Sequence, residues 1–267
     1  MSAIGPLPIP CGNDSMISGS FSRTRLMARA GIGAELEGVH AVGAALDAGR
    51  VETLIVEASR LGKLEGLVSR AREQGVAVEI VEELEAVTAV PQGVRAHARP
   101  IRTVSLDELT DPSPAAVVVL DHLQDPHNVG AVVRSAVAAG MTGLVVSDRR
   151  SAPLGPTAFK AAAGAFERLR VCVHPSSAGA VARLEQVGLW TIGLSADGDI
   201  SIFDLDLLTE PVAVVVGGEG RGLGRLVGER CDVLAHIPMA AGVESLNASV
   251  AAALAMFEVA RVRSSFS

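Results

Sequence analysis

Residues 115–140 read AAVVVLDHLQDPHNVGAVVRSAVAAG: an apolar run, a polar turn, then small and apolar residues interrupted by one arginine. The first run is continuous, not alternating, so it predicts a strand buried on both faces, followed by a helix. The unit recurs in GLVVS (143–147), LRVCV (169–173), LWTIGLS (189–195), VAVVVG (212–217) and VLAHIP (233–238). Helical stretches lie between these runs, around GPTAFKAAAGAF (155–166), in AGAVARLEQVG (178–188), in a short helix before residue 233 and in a long final helix. Val/Ile/Leu strands alternating with helices predict an α/β fold with a parallel sheet covered on both faces. Ligands in such sheets sit at the carboxyl ends of the strands.

A smaller α/β unit precedes this one. EGVHAVGAALDAG (37–49) predicts a helix, VETLIV (51–56) a strand, LGKLEGLVSRAREQG (61–75) a helix, VAVEIV (76–81) a strand and EELEAV (82–87) a helix. The reading divides the chain into a loosely attached tail (1–34, rich in Pro, Gly and Ser), a small α/β domain (35–100), a linker (101–115) and the parallel-sheet domain (116–267).

Composition narrows the setting. The three cysteines, Cys11, Cys172 and Cys231, are scattered and form no C-x-x-C, which fits a reducing, cytoplasmic environment. The opening has no basic n-region, and no apolar run reaches the roughly 20 residues that span a bilayer, so no membrane is expected. Cys172-Val173-His174 is an isolated pair among dispersed histidines, so no metal is expected. The net charge of −7 argues against a nucleic-acid partner. Its distribution argues the other way: PQGVRAHARPIRTVS (91–105) carries Arg95, His97, Arg99 and Arg102 with no carboxylate, and Arg149-Arg150 is followed by Lys160, Arg168 and Arg170. The alternative is a set of solvated surface arginines.

Three loops after strands carry side chains with chemistry. In the first, Asn128 is an expected helix N-cap, and Arg134 lies six positions on, among Val and Ala, where it needs a carboxylate, a phosphate or another subunit. In the second, GGEGRGLGRL (217–226), glycines at every second position let main chain approach a ligand, and Glu219 is the side chain in the crook. The spacing does not fit G-x-G-x-x-G, and the only lysines, Lys63 and Lys160, lie outside any Walker A pattern. In the third, IPMAAGVESLNAS (237–249), Ser245 is expected to cap the final helix, and Asn247 offers an amide from its first turn that needs a partner. No G-x-S-x-G elbow is present, which disfavours Ser/His/Asp hydrolysis.

Taken together, Asn128 with Arg134, GGEGRGLG and IPMAAGVESLNASVAAALAMFE resemble, in order and spacing over about residues 117–260, the three motifs of the SpoU-type RNA ribose 2′-O-methyltransferases of the SPOUT superfamily. GVHAV..AL (38–46) and SDRRSAPLGPTAFKAAAGAFERLRV (147–171) resemble the branch that methylates guanosine in bacterial 23S ribosomal RNA. The resemblance implies a deep trefoil knot in the C-terminal domain, a small RNA-binding domain before it, an obligate homodimer, and S-adenosyl-L-methionine as cofactor. It implies cofactor contacts at Leu194, Gly217, Gly220, Ile237, Met239 and Leu246, and a catalytic set of Asn128, Arg134, Glu219, Ser245 and Asn247.

Transfer of a methyl group to a ribose oxygen requires mainly that the hydroxyl be aligned and its proton removed. A guanidinium is a poor proton acceptor, so Arg134 is read as a phosphate contact that stabilises the emerging alkoxide. Asn128, Ser245 and Asn247 then orient Arg134, ribose and cofactor, and Glu219 holds its loop or a substrate edge. The chain has no Tyr and six Phe, so RNA docking must rest on Arg and main chain more than on aromatic stacking. The alternatives are the same reaction on tRNA or at an antibiotic-binding ribosomal site, and a non-catalytic RNA-binding assembly factor.

Overall fold

The computed structural model describes residues 31–148, 151–243 and 245–263. The expectations for residues 1–30, for Cys11 and for Arg149-Arg150 lie outside these residues.

The smaller sheet contains β1 (Glu35–Glu37), β2 (Val51–Glu57), β3 (Ala77–Val81) and β4 (Val94–Ala98), in the order β1-β4-β2-β3. Strands β2 and β3 are parallel, and β4 runs antiparallel to both β1 and β2. Helices α1 (Val39–Asp47) and α2 (Glu65–Glu73) accompany it, α2 preceded by a 3-10 turn over Ala58–Leu64.

Two features here depart from the sequence reading. EELEAV is not a helix. The buried carboxylate of Glu37 accepts hydrogen bonds from the main-chain amides of Val87 at 2.7 Å and Thr88 at 3.2 Å, so this stretch is held as a loop. The basic strip, in turn, contains strand β4, where buried Val94, Ala96 and Ala98 alternate with Arg95 and His97. Its charges find carboxylates and carbonyls from elsewhere in the chain. Arg95 lies 3.4 Å and His97 2.7 Å from Glu35, Arg102 lies 3.1 Å from Glu108, and Arg99 donates to the carbonyl of Gly49.

The larger sheet has seven parallel strands: β5 (Ala116–Asp121), β6 (Gly143–Ser147), β7 (Arg170–His174), β8 (Trp190–Leu194), β9 (Ile200–Ser201), β10 (Val212–Gly217) and β11 (Val233–His236). Their order is β7-β6-β5-β10-β8-β11-β9. Every residue of β5 and β6 is buried, as continuous apolar runs require. The two-residue strand β9 had no periodic signal. Helices α3 (Pro126–Ala138), α4 (Pro156–Ala162), α5 (Ser177–Gln186), α6 (Arg225–Gly228) and α7 (Ala248–Val262) complete the unit. The register pairs Gly217 with Asp121 and Leu194 with Ala235, so the ends of β5, β10, β8 and β11 lie along one edge.

Residues 101–115 connect the sheets and pack as they do so: Leu106 and Leu109 are buried, and the Val104 amide donates to the carbonyl of Val171 at 2.9 Å. One apolar cluster runs from Leu36, Val42 and Leu54 through Phe159 to Val118 and Val214, so the two sheets share a core. The contact centres on α4 and the turn after it. Phe159 lies so close to Gly33 that a Cβ there would come within 2.5 Å of the ring. Lys160 donates to Thr88 Oγ1 at 2.8 Å and to the Val90 carbonyl, and stands 3.7 Å from Glu37.

Arg263, at the end of α7, fastens that helix to the rest of the domain. Its guanidinium donates to the carbonyls of Leu208 (2.9 Å), Pro114 (2.8 Å), Ala115 (3.2 Å) and Glu210. Arg263→Met removes these bonds without removing the aliphatic stem. It is expected to cost about 2 kcal/mol of unfolding free energy, measurable by denaturant titration.

Candidate functional site

The first loop leaves β5 at Asp121 and enters α3 at Asp125. Asp125, not Asn128, is the N-cap: its Oδ1 accepts the His127 amide at 2.8 Å, and Pro126 occupies the first helical turn. An Asp followed by Pro is a stronger start signal than an Asn three residues later. Asn128 is thereby released from capping. It lies 8% exposed in the first turn of α3, donates from Nδ2 to Glu219 Oε1, and accepts from Asn247 Nδ2 at 3.2 Å.

Asn247 in turn takes the role expected of Ser245. As the N-cap of α7 its Oδ1 accepts the amides of Ser249 at 2.9 Å and Val250 at 3.4 Å and the Ser249 hydroxyl at 2.6 Å. Its Nδ2 reaches Glu219 Oε1 at 3.2 Å as well as Asn128. An asparagine does here what a serine could not, closing a helix with its carbonyl and a side-chain network with its amide. The residue is exposed, and Ser245 is exposed two positions before it.

Glu219 joins the two asparagines from the glycine loop. A Cβ on Gly217 would lie inside the main chain of Gly222 and Leu223, and one on Gly218 would meet the carbonyl of His122. Gly222 closes the loop by donating its amide to the Gly218 carbonyl at 3.0 Å, and Gly224 donates its amide to Asp121 Oδ2 at 2.7 Å. Gly220 and Gly222 have positive φ (73° and 61°) and nothing within 4 Å of where a Cβ would stand, so their main chain faces open space.

The floor of the site is a feature that the sequence reading missed. Asp121 is fully buried, and its Oδ1 accepts no hydrogen bond among the described residues; His122 Nδ1 stands 3.4 Å from it. His122 has a φ of 56°, a left-handed conformation costing on the order of 1 kcal/mol in a non-glycine residue. A cleft of about 550 Å³ opens here, lined among others by His122, Gln124, Asp125, Glu219 and Arg221. Nothing in residue type or spacing announces a histidine at positive φ.

The remaining expected site residues are placed as follows. Arg134 is exposed and has no hydrogen bond or ion pair among the described residues. Six positions along a helix place it about 9 Å from Asn128 along the axis and turned by about 240°, so it does not join the network. Leu194, the last residue of β8, and Ile237 and Met239, just past the end of β11, are half-buried, with β8 lying between β11 and β10, which ends at Gly217; Gly220 and Leu246 are exposed. Cys231 is no nucleophile in this region, because burial, with Asp232 and Asp121 nearby, pushes its thiol up to about 12. Among the described residues no three His, Cys, Asp or Glu side chains converge as metal ligands, and no helix is long and apolar enough to cross a membrane.

Known proteins resemble this chain in sequence and fold. Residues 115–257 match the SpoU rRNA Methylase family, and residues 36–104 match a family described as RNA 2′-O ribose methyltransferase substrate binding. The 23S rRNA (guanosine-2′-O-)-methyltransferase RlmB of Pseudomonas syringae pv. tomato is 38% identical over 241 residues, covering 86% of this chain and 96% of that protein. The SpoU methyltransferase AviRb from Streptomyces viridochromogenes superposes with a TM-score of 0.75 at 27% identity, over 90% of this chain and 93% of that one. Its complex with the cofactor AdoMet gives 0.74 at 26%, over 92% and 95%. The chain belongs to the SpoU rRNA methylase family.

Proposed function

We propose that this protein transfers a methyl group from S-adenosyl-L-methionine to a ribose 2′-oxygen of RNA, at a guanosine of 23S ribosomal RNA. The observation that carries the reading is the hydrogen-bonded meeting of Asn128, Glu219 and Asn247, from three loops far apart in sequence, at the carboxyl edge of a parallel sheet. The full-length relation to RlmB of Pseudomonas syringae supports the ribosomal substrate, and that substrate implies the cytoplasm.

The residues present fit the cofactor. Gly217 lets the main chain of Gly222 and Leu223 close tightly over the end of β10, Gly220 and Gly222 leave main chain open, and Leu194, Ile237, Met239 and Leu246 supply apolar contact around it. Bound there, S-adenosyl-L-methionine supplies an electrophilic methyl group. Glu219, clamped by two amides, fixes the crook of the glycine loop and one edge of the nucleotide. Asn128 and Asn247 hold Glu219, Ser245 orients the ribose, and Arg134 binds the adjacent phosphate and stabilises the alkoxide. Gly217→Val is expected to weaken cofactor binding by about 10- to 100-fold in calorimetry, the equivalent of the 1–3 kcal/mol typical of overpacking.

The active form is a homodimer. Leu246, Val250 and Leu254 stand 37%, 47% and 39% exposed at and beyond the start of α7, an apolar face suited to a second copy. Arg134, turned away from its own Asn128, then meets the site of the partner. A trefoil knot in the large domain is supported by β11 lying between β8 and β9 although it follows both in the chain, and by Gly198 packing against the main chain of Ala235 and His236. The small domain over 35–100 binds the RNA.

The test is to incubate the protein with labelled S-adenosyl-L-methionine and separate pools of unmodified 23S, 16S and transfer RNA, then digest to nucleosides. Label in 2′-O-methylguanosine from 23S RNA is expected. Label only from transfer RNA would change the substrate, and no label with no cofactor binding would leave an RNA-binding assembly factor.

A further inference from the structure

Transfer to a hydroxyl leaves a proton to be accepted, and none of the roles assigned above provides for it. Arg134 and Arg221 are guanidiniums, protonated at any working pH. Glu219 Oε1 already takes both asparagine amides, and Asp125 Oδ1 takes the His127 amide. Gln124 is no base. Among the residues lining the cleft His122 carries the one imidazole, and no hydrogen bond among the described residues engages its ring, whereas Glu219 and Asp125 are each held in the loops through one carboxylate oxygen.

Its setting is built for that task. The ring is 40% exposed, lines the cleft together with Glu219, and places Nδ1 3.4 Å from Oδ1 of the fully buried Asp121, an oxygen that accepts no hydrogen bond among the described residues. Asp121 is itself fixed, since its Oδ2 accepts the Gly224 amide at 2.7 Å. A buried carboxylate at Nδ1 favours the tautomer with the proton on Nδ1, which leaves the lone pair on Nε2 for the cleft. The chain holds a non-glycine residue at φ 56° to put the ring there.

We propose that His122 accepts the proton of the ribose 2′-hydroxyl, with Asp121 positioning its ring. The proposal rests on the methyltransferase reading. The O–H bond breaks as the new O–C bond forms, the proton goes to Nε2, and the electron pair of the donor S–C bond stays on sulfur. The imidazolium then returns its proton to solvent through the open cleft. The charged groups that face His122 are Asp121 from the end of β5, Asp125 from the loop after it, and Glu219 and Arg221 from the glycine loop.

Two full-length variants test this: His122→Gly, which suits the left-handed turn and so keeps the loop, and His122→Gln, which keeps a hydrogen-bonding end without a base. With 23S RNA and labelled donor, both are expected to lose about 100-fold in kcat, with KM for RNA and Kd for donor within about two-fold. The acid limb of the kcat profile vanishes, and added imidazole restores rate to His122→Gly alone. In the free protein, nitrogen NMR of the His122 ring is expected to show the Nδ1–H tautomer, lost in Asp121→Asn. If wild type transfers methyl and His122→Gly matches it in kcat and pH profile, or if the ring carries its proton on Nε2, the assignment is overturned while the functional reading stands. If wild type transfers no methyl to any RNA, both fall.

Discussion

Arg134→Ala is expected to lower kcat by about 100- to 1000-fold while leaving cofactor affinity unchanged, the loss typical of removing one charge-stabilising donor from a transition state. Arg134 is exposed on α3 without a partner among the described residues, so its truncation leaves no buried charge stranded and should not disturb folding. Arg134→Lys keeps the charge but not the planar fork that grips a phosphate, and should recover only part of the rate. Single-turnover rates with saturating donor separate the two effects. An unchanged rate in Arg134→Ala, with donor and RNA bound normally, would remove this residue from the chemistry.

The second large effect concerns the joint between the sheets. Arg50, just before β2, pairs with Glu167 in the turn after α4: Nε donates to Oε2 at 2.8 Å and Nη2 to Oε1, with the two side chains 12% and 9% exposed. Nη1 donates to the carbonyls of Gly33, at 3.2 Å, and Arg99. Arg50→Met leaves Glu167 buried without its cation, a change that costs about 3–5 kcal/mol. For a chain of this size the midpoint of thermal unfolding should fall by about 10 °C. Arg50→Met combined with Glu167→Gln should recover much of that loss, because the stranded charge is gone. If the pair held nothing together, the single variant would unfold where wild type does.

How much of this was legible beforehand depends on the range of the interaction. The strands of the large sheet were readable because burial on both faces writes itself into every position of a run such as Val117–Leu120. Strand β4 was missed because its alternation is written in Arg and His, whose shared partner Glu35 is set by folding. The site residues Asn128, Glu219 and Asn247 were singled out from their loops, yet the division of labour between them was not: Asp125 and Asn247 cap the helices, where Asn128 and Ser245 were expected to. Capping depends on one dihedral and one hydrogen bond, and two polar residues near a helix start compete for it locally. His122 was invisible for a different reason. Its significance lies in a positive φ and in a buried carboxylate oxygen without a bond, and neither exists until the glycine loop closes over Asp121.

The account depends on Asn128 and Glu219, 91 positions apart, acting as one unit. A double-mutant cycle on kcat/KM for 23S RNA methylation, using Asn128→Ala, Glu219→Ala and the double variant, measures this directly. The prediction is a coupling of about 1–3 kcal/mol, with the double variant little slower than the worse single one. Losses that add to within about 0.5 kcal/mol would mean that the two residues work independently, and would contradict a site assembled from these loops.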